Sequence, residues 1–335
     1  MDTKTKGKSI TLEEVKTFLM SGDNYIILTH ANPDGDTLGS GFALAMILNR
    51  IGKRATVICP DKIPQKYNYF TGFSKQNAVR MNSKIISVDI ADTQLMGSFR
   101  DEYSNKIDLC IDHHISNTFY AKQTYLDDDA AATCECIYDL ANIMNIDIDK
   151  PLALAMYTGI STDTGCFKFS NTTPKTLRIA ANLMECEIDI AEINRIMFET
   201  KSRIRIELET MALNGMEFYF DDKCAIITIT RKMYEKTGCL DEDLEGITAI
   251  PRSVEGVIVG ITLREKNDGS IKASVRTYPP VDASEICKNL GGGGHIRAAG
   301  CQFDSSYTTK KAKEEILKYV EKALGGNSAG TDTDK

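Results

Sequence analysis

Histidine is scarce in this 335-residue sequence, with four in all, at positions 30, 113, 114 and 295. Closely paired thiols of the ribbon or redox kind are missing. None of the ten cysteines (59, 110, 134, 136, 166, 186, 224, 239, 287 and 301) forms a Cys-x-x-Cys pair. No window approaches the roughly 18 uninterrupted apolar residues of a membrane helix. The polar stretch Met1–Ile10 also lacks the apolar centre of a secretory signal. Positive charge is not in excess: 40 Lys+Arg stand against 47 Asp+Glu, a net charge of −7 with a pI near 5.3. Long nucleic acid is held mainly by Lys and Arg neutralising phosphates, so the overall field argues against such a partner. There is no internal repeat, and the only biased segment is the small, polar tail 326–335, expected to be disordered. These absences predict a cytoplasmic protein with reduced cysteines, no membrane partner, and metal ions supplying the charge for any anionic ligand.

What is present is an ordinary globular composition, 42% hydrophobic and 26% charged, long enough for about two domains. The first half alternates strand and helix signals. Thr11 and Glu14 form a candidate capping box for a helix over Leu12–Met20. Strand-like runs occur at Tyr25–His30, Ala55–Cys59, Ile85–Ile90 and Ile107–Ile111, with helical patterns at Leu38–Ile51 and at about 130–144, 151–159, 174–185 and 189–198. Continuous apolar strands separated by helices predict an α/β domain with a mainly parallel sheet covered on both faces. That domain is expected over 1–198. A linker helix over 199–216 and a smaller α/β domain over 217–325 follow, the latter with a hairpin around Asn267-Asp268-Gly269.

The chemistry-bearing residues gather at the ends of these runs. His30-Ala31-Asn32-Pro33-Asp34-Gly35-Asp36 follows the first strand, and Pro33 and Gly35 turn the chain so that His30, Asp34 and Asp36 can face one volume. A turn in which Asp36 or Thr37 caps the helix is the plainer alternative for Asp36 alone. Asp89 closes the strand before Ile90, which on its own is also a common turn feature. Asp112-His113-His114 closes another apolar strand. Asp163 lies in Thr158–Gly165, where the helical pattern ends. Together His30, His113, Asp34, Asp36, Asp89 and Asp163 make a mixed imidazole and carboxylate set suited to Mn²⁺ or Mg²⁺. Four aspartates would balance two divalent cations. Two metals about 3.5–4 Å apart suit an in-line phosphoryl displacement. A further cluster, Gly291-Gly292-Gly293-Gly294-His295, can bring backbone N–H groups close to an anion, with Lys272, Arg276 and Arg297 near it in sequence; a flexible loop is the competing reading.

In this order the motifs resemble the DHH phosphoesterase superfamily with its DHH-associated C-terminal domain. His30 to Asp36 is similar to the first motif, Asp89 to the second, Asp112-His113-His114 to the third, and Thr162-Asp163-Thr164-Gly165 to the fourth. Gly291–His295 resembles the C-terminal signature. Thr37 stands where the family often has Ala. The resemblance runs from about residue 25 to 303 and is nearest to stand-alone bacterial nanoRNase/pAp-phosphatase proteins. It implies one metal, Mn²⁺ ahead of Mg²⁺ or Co²⁺, on His30, Asp34, Asp89 and Asp163. A second is implied on Asp36, Asp89, His113 and Asp163, with Asp112 orienting the site and His114 facing substrate. Arg276, Gly292, Gly293, Gly294 and His295 would grip the nucleotide end, and the active site would lie in the cleft between domains.

The expected activity is hydrolysis of short 5′-phosphorylated oligonucleotides of RNA or DNA, linear dinucleotides such as pApA, or pAp, by a metal-bound hydroxide. Residues 217–325 hold 16 Lys+Arg and 17 Asp+Glu, so this domain has no broad basic face for a long strand. Phe167, Phe169 and Tyr278 are scattered stacking candidates that read equally well as core residues. A cyclic-di-AMP phosphodiesterase is the nearest alternative, although the sensor and membrane segments of those enzymes are not seen here. RecJ-type exonucleases carry an extra oligonucleotide-binding domain for which there is no room, and family II pyrophosphatases lack the glycine-rich signature. A catalytically silent nucleotide-binding regulator is a more distant alternative, and a homodimer is compatible with all of these.

Overall fold

The computed structural model describes residues 7–73, 82–240, 244 and 246–325; the tail expected over 326–335 lies outside them. The chain divides into two compact units, Met1–Thr200 and Lys201–Lys335, each built on its own six-stranded sheet. Among the described residues no helix is long and apolar enough to cross a membrane. All ten cysteines are free thiols.

In the first unit the strands are β1 (Lys8–Ser9), β2 (Asn24–Leu28), β3 (Arg54–Ile58), β4 (Lys84–Val88), β5 (Leu109–Asp112) and β6 (Gln123–Leu126). They lie in the order β1-β6-β5-β4-β2-β3 and every pairing is parallel. The helices are α1 (Leu12–Met20), α2 (Gly35–Arg50), α3 (Asn68–Thr71), α4 (Arg100–Tyr103), α5 (Thr133–Ile143), α6 (Lys150–Asp163), α7 (Pro174–Met184) and α8 (Ile190–Asn194). The apolar runs are continuous because both faces are covered. From β2, Tyr25 and Ile27 join one core cluster with Phe42, Ile47 and Met156, while Ile26 and Leu28 join a second with Ile85, Met96 and Cys110. The Thr11–Glu14 capping box is present at α1.

Strand order reverses between β2 and β4: the chain runs outward from β2 to β3 on one side and from β4 to β5 and β6 on the other. Such a switch point opens a crevice beyond the carboxyl ends of the strands, where ligands bind in open α/β sheets. His30, Asp89 and the Asp112–His114 run all leave the sheet at that edge. The four-residue strand β6 and the two-residue strand β1 were not visible in the sequence. Gln123-Thr124-Tyr125-Leu126 mixes polar and apolar residues, as strands near a sheet edge do.

The second unit carries β7 (Glu217–Tyr219), β8 (Cys224–Ile229), β9 (Val259–Glu265), β10 (Ile271–Thr277), β11 (Gly293–His295) and β12 (Ala298–Phe303), in the order β11-β12-β10-β9-β8-β7. All pairs are antiparallel except β8 with β9. Its helices are α9 (Arg203–Asn214), α10 (Arg231–Thr237), α11 (Ala283–Lys288) and α12 (Thr309–Ala323). The β9–β10 hairpin turns at Gly269, whose φ of +82° needs a glycine. One face of the sheet buries Val259, Ile261, Ala273 and Val275 with Ile286, Ile316 and Val320 of α11 and α12. On the other, Ile227 and Ile229 pack with Leu208 and Ala212 of α9. Two charged residues of α9 pair within the unit, since Glu209 accepts from Arg205 Nε at 2.6 Å, and Glu209 also pairs with Lys201 at 2.9 Å.

The glycine-rich run is therefore not a free loop throughout, because its last two glycines and His295 form β11. In the first unit, glycine acts by close approach. A Cβ on Gly159 of α6 would sit 2.2 Å from Cys134 Sγ and 2.7 Å from Asp36 Oδ1, and one on Gly39 of α2 would sit 2.5 Å from the Ala155 carbonyl oxygen. Gly159→Ala is therefore expected to destabilise the protein by about 1–3 kcal/mol through overpacking. Cys134→Ala should recover part of that loss in a double-mutant cycle read by urea unfolding, and purely additive effects would refute the contact as the cause.

Candidate metal centre

The site begins with the turn after β2. Asp34 is the N-cap of α2: its Oδ1 accepts from the backbone N–H of Asp36 and Thr37, each at 3.1 Å. The cap is thus Asp34 and not Asp36 or Thr37, the plainer alternative that the sequence left open, and α2 starts three residues earlier than its apolar pattern. Asp36 is fully buried and does a different job. It accepts from Thr133 N at 2.6 Å and Cys134 N at 2.9 Å, at the start of α5. The N-cap residue of α5, Ala132, has no capping side chain, so Asp36 satisfies those orphan donors from another element.

Asp89 follows β4 with φ +58°, a left-handed conformation that Asp tolerates better than most residues, and its N–H donates to Ile111 O at 3.0 Å. Its two oxygens face opposite sides of the cluster, Oδ2 lying 3.6 Å from His30 Nε2 and Oδ1 3.7 Å from His113 Nε2. Thr133 Oγ1 donates to Oδ1 at 3.0 Å. Asp163 is the last residue of α6, which runs beyond the 151–159 of its sequence pattern, and its Oδ2 lies 3.3 Å from His113 Nε2.

Both metal-candidate imidazoles are held by their outer nitrogens. His30 Nδ1 faces Ala31 O at 2.8 Å and His113 Nδ1 faces Ala130 O at 3.0 Å, which sets the proton on Nδ1 in each ring. In the neutral ring Nε2 then presents a lone pair inward. Among the described residues the buried His113 Nε2 has no hydrogen-bond partner, although three carboxylates lie 3.3–4.0 Å away. Acceptors facing acceptors in a buried space are unfavourable unless a cation sits between them. This arrangement, with nitrogen and carboxylate donors, fits divalent metal ions. His30, Asp34 and Asp89 have donor atoms within 4.8 Å of one another, as do Asp36, His113 and Asp163, and Asp89, His113 and His114. Asp89 is common to two of the three groups, whereas Asp163 occurs in one.

Asp112 is buried behind this set. Its Oδ1 accepts from His114 Nδ1 at 2.8 Å and from His113 N at 2.9 Å, and its Oδ2 from Asn117 Nδ2 at 2.6 Å. His114 is fixed through Nδ1 and is 40% exposed, so its Nε2 faces outward. Sequence reasoning did not single out Asn117 or Thr133. Asn117 is an ordinary loop residue until the fold brings it back to Asp112. Thr133 acts partly through its backbone N–H, which leaves no mark in a sequence. Of the stacking candidates, Phe167 packs into the core, while Phe169 is 57% and Tyr278 48% exposed.

Burial and the charges of Asp36 and Asp34 push the Asp163 carboxyl up to about 8, and burial with the same neighbours raises Asp89 well above its usual range. Burial works against His30 and His114 holding a proton, but the hydrogen bonds and charges of Asp34 and Asp112 outweigh it and raise both. For Asp34 and Asp112 burial raises the carboxyl, and the same histidine contacts overcome it and lower both.

Comparison with known proteins agrees with this architecture. The sequence model described as "DHH family, N-terminal domain" matches residues 24–160, and that of the DHHA1 domain matches residues 227–326. The "Bifunctional oligoribonuclease and PAP phosphatase NrnA" of Thermus thermophilus is 31% identical over 305 residues, covering 89% of each chain. The protein of the same name from Bacillus subtilis is 25% identical over 291 residues, 84% of this chain and 90% of that one. Among solved structures, an exopolyphosphatase-related protein from Bacteroides fragilis superposes with a TM-score of 0.82 at 27% identity, covering 94% of this chain and 95% of that one. The protein is thus a two-unit α/β protein with a parallel-sheet first unit and a carboxylate–imidazole cluster at its switch point. It belongs to the DHH family and carries a DHHA1 domain as its second unit.

The raised carboxyls set a pH dependence for the metal-free protein. Below 3.8 Asp89 and Asp163 are protonated folded or unfolded and add no penalty. As pH rises towards 8 the unfolded chain ionises them freely while the folded cluster resists, so their contribution to stability falls. The raised His30 and His114 act in the same direction, since their contribution is full below 6.5 and is lost as pH passes their folded values. Metal-free protein should therefore lose thermal stability from these groups between pH 5 and pH 8. Mn²⁺ should raise the melting temperature more at pH 8 than at pH 5. Asp89→Asn should abolish most of the metal-induced shift; an equal Mn²⁺ effect at both pH values would contradict this account.

Proposed function

We propose that this protein is a dinuclear-metal phosphoesterase that hydrolyses short 5′-phosphorylated oligonucleotides, linear dinucleotides such as pApA, and pAp. The observation that carries the proposal is the buried His113 Nε2, bare among the carboxylates of Asp36, Asp89 and Asp163. The names of the Thermus thermophilus and Bacillus subtilis relatives support the substrate class. One divalent cation would be held by His30, Asp34 and Asp89 and the other by Asp36, His113 and Asp163, with Asp89 shared. Mn²⁺ is the proposed ion, and Mg²⁺ and Co²⁺ are the alternatives for the same mixed donor set. Such ions would activate a water and stabilise the attacking and leaving oxygens of a phosphoryl displacement.

The chain's own residues divide the remaining work. Asp112 holds His114 through Nδ1, which leaves Nε2 to meet the substrate phosphate or the leaving oxygen and favours the protonated ring. Asn117 keeps Asp112 oriented from the other side. Arg276, Gly292, Gly293, Gly294 and His295 are proposed to bind the nucleotide end of the substrate.

The test compares Mn²⁺-dependent hydrolysis of pAp, pApA, cyclic-di-AMP and a five-nucleotide RNA. The linear substrates should be cut to mononucleotides, with His113→Ala inactive. His114→Ala should lower kcat by about 10²–10³-fold with a smaller effect on KM, and Asn117→Ala by about tenfold. If cyclic-di-AMP were cut fastest, a signalling phosphodiesterase would replace this reading. No cleavage of any substrate with Mn²⁺, Mg²⁺ or Co²⁺ would overturn it.

A further inference from the structure

Sheet register in the second unit places a row of residues across one face. His295 of β11 pairs with Ala298 of β12, Ala298 pairs with Arg276 of β10, and Arg276 pairs with Gly260 of β9. Directly paired residues point to the same side, about 4.5–5.5 Å apart at Cβ. This side is the one turned away from α11 and α12, because the alternating residues Val259, Val275 and Ala299 are the ones buried against those helices. The row thus runs polar, small, cationic, small.

The Gly260 position is filled from another segment. A Cβ there would lie 2.5 Å from Arg252 N and 2.9 Å from Arg252 Cα, so the backbone of Arg252 rests directly on this glycine. Arg252 is thereby brought beside Arg276. The Arg252 guanidinium lies 4.7 Å from the centre of the Tyr278 ring, in cation–π range. Tyr278 extends the β10 ladder through its N–H to Ile258 O at 2.9 Å, and so falls on the Arg276 face, two residues on. Tyr278 remains 48% exposed.

Charge in this corner is uncompensated. Among the described residues neither Arg252 nor Arg276 has a carboxylate in ion-pair range, and Arg276 donates only to its neighbouring carbonyl, Val275 O, at 3.1 Å. Burial, and then the charge of Arg252, hold the Arg276 guanidinium below its ordinary value. Two half-buried arginines converging without an acid are a common way to build an anion site. An exposed aromatic residue backed by a guanidinium is suited to stacking a base.

We infer that Arg252, which no sequence motif marks, and Tyr278, one of the scattered stacking candidates, complete a nucleotide subsite with Arg276, in which the arginines take a phosphate and the exposed Tyr278 ring stacks the nucleobase. This rests on the phosphoesterase reading for its biological sense, though not for its geometry. It makes Tyr278 the residue that separates nucleotides from anions without a base, such as pyrophosphate or sugar phosphates. Arg252 has two tasks: it adds charge for the phosphate, and it holds the ring in place.

The test is calorimetric titration of the full chain with AMP and with ribose 5-phosphate, in EDTA so that the metal cluster cannot hold the phosphate. Wild type should bind AMP about tenfold or more tightly than ribose 5-phosphate. Tyr278→Ala should remove that preference and Tyr278→Phe should keep it. Arg252→Ala should weaken both ligands by roughly tenfold. Equal affinity of wild type for the two ligands would overturn the inference. So would a preference unchanged in Tyr278→Ala, or ribose 5-phosphate binding unchanged in Arg252→Ala. Parallel assays with pApA and Mn²⁺ separate the two levels. A Tyr278-dependent preference without turnover would uphold the subsite and refute the phosphoesterase reading. Turnover without the preference would do the reverse.

Discussion

Repulsion among acceptors is the constraint around which the first unit is arranged. Asp34, Asp36, Asp89 and Asp163 and the inward nitrogens of His30 and His113 crowd one edge of the parallel sheet, with separations of 3.3–4.0 Å and few donors among them. A chain with no cation to bind would have no reason to keep the arrangement, because each buried carboxylate raises the cost of ionising the next. The fold offsets part of that cost locally. The starts of α2 and α5 each turn two backbone N–H groups towards an aspartate, and Thr133 turns its hydroxyl to Asp89. The carbonyls of Ala31 and Ala130 fix the imidazoles from behind.

Helix packing follows from the same requirement. Asp36 can reach the start of α5 only if α2, α5 and α6 approach within the distance that Gly39 and Gly159 allow. The left-handed backbone at Asp89 lets one carboxylate turn its two oxygens to opposite sides. Local strain of this kind, of order 1–3 kcal/mol, persists where surrounding structure over-determines it, and here β4, β5 and Thr133 do so. Stability and ligand binding are thus coupled through the same few atoms.

Much of this was legible beforehand because the relevant signals are local. His30, Asp89 and Asp112–His114 each follow an apolar run, and a strand end can be recognised without knowing its neighbours. The parallel sheet followed from continuous apolar strands alternating with helices. What could not be read was anything depending on non-local pairing: the short strands β1 and β6, Asp36 capping a helix 97 residues away, and Asn117 returning to Asp112. Asp34 and Asp36 read alike as candidate ligands. Which of them caps α2 could not be told for a similar reason, since either can do so on spacing alone and only the presence of α5 decides between them. Arg252 is the extreme case: it reaches Arg276 only because Gly260 leaves it room.

On the proposed reading, the second unit lets an acidic chain prefer anions of limited length. Residues 217–325 are nearly neutral overall, yet among the described residues Arg252 and Arg276 converge without a carboxylate between them. Affinity for a long strand grows with the number of phosphates neutralised along a track, and a nearly neutral surface supplies no such track. In the inferred subsite, a local pair of arginines beside one exposed aromatic ring would engage one phosphate and one base. Each nucleotide beyond the subsite would then add little favourable contact while still losing conformational freedom on binding. On the proposed reading, preference for short substrates needs no barrier against long ones, because it follows from how little cationic and aromatic surface the domain presents.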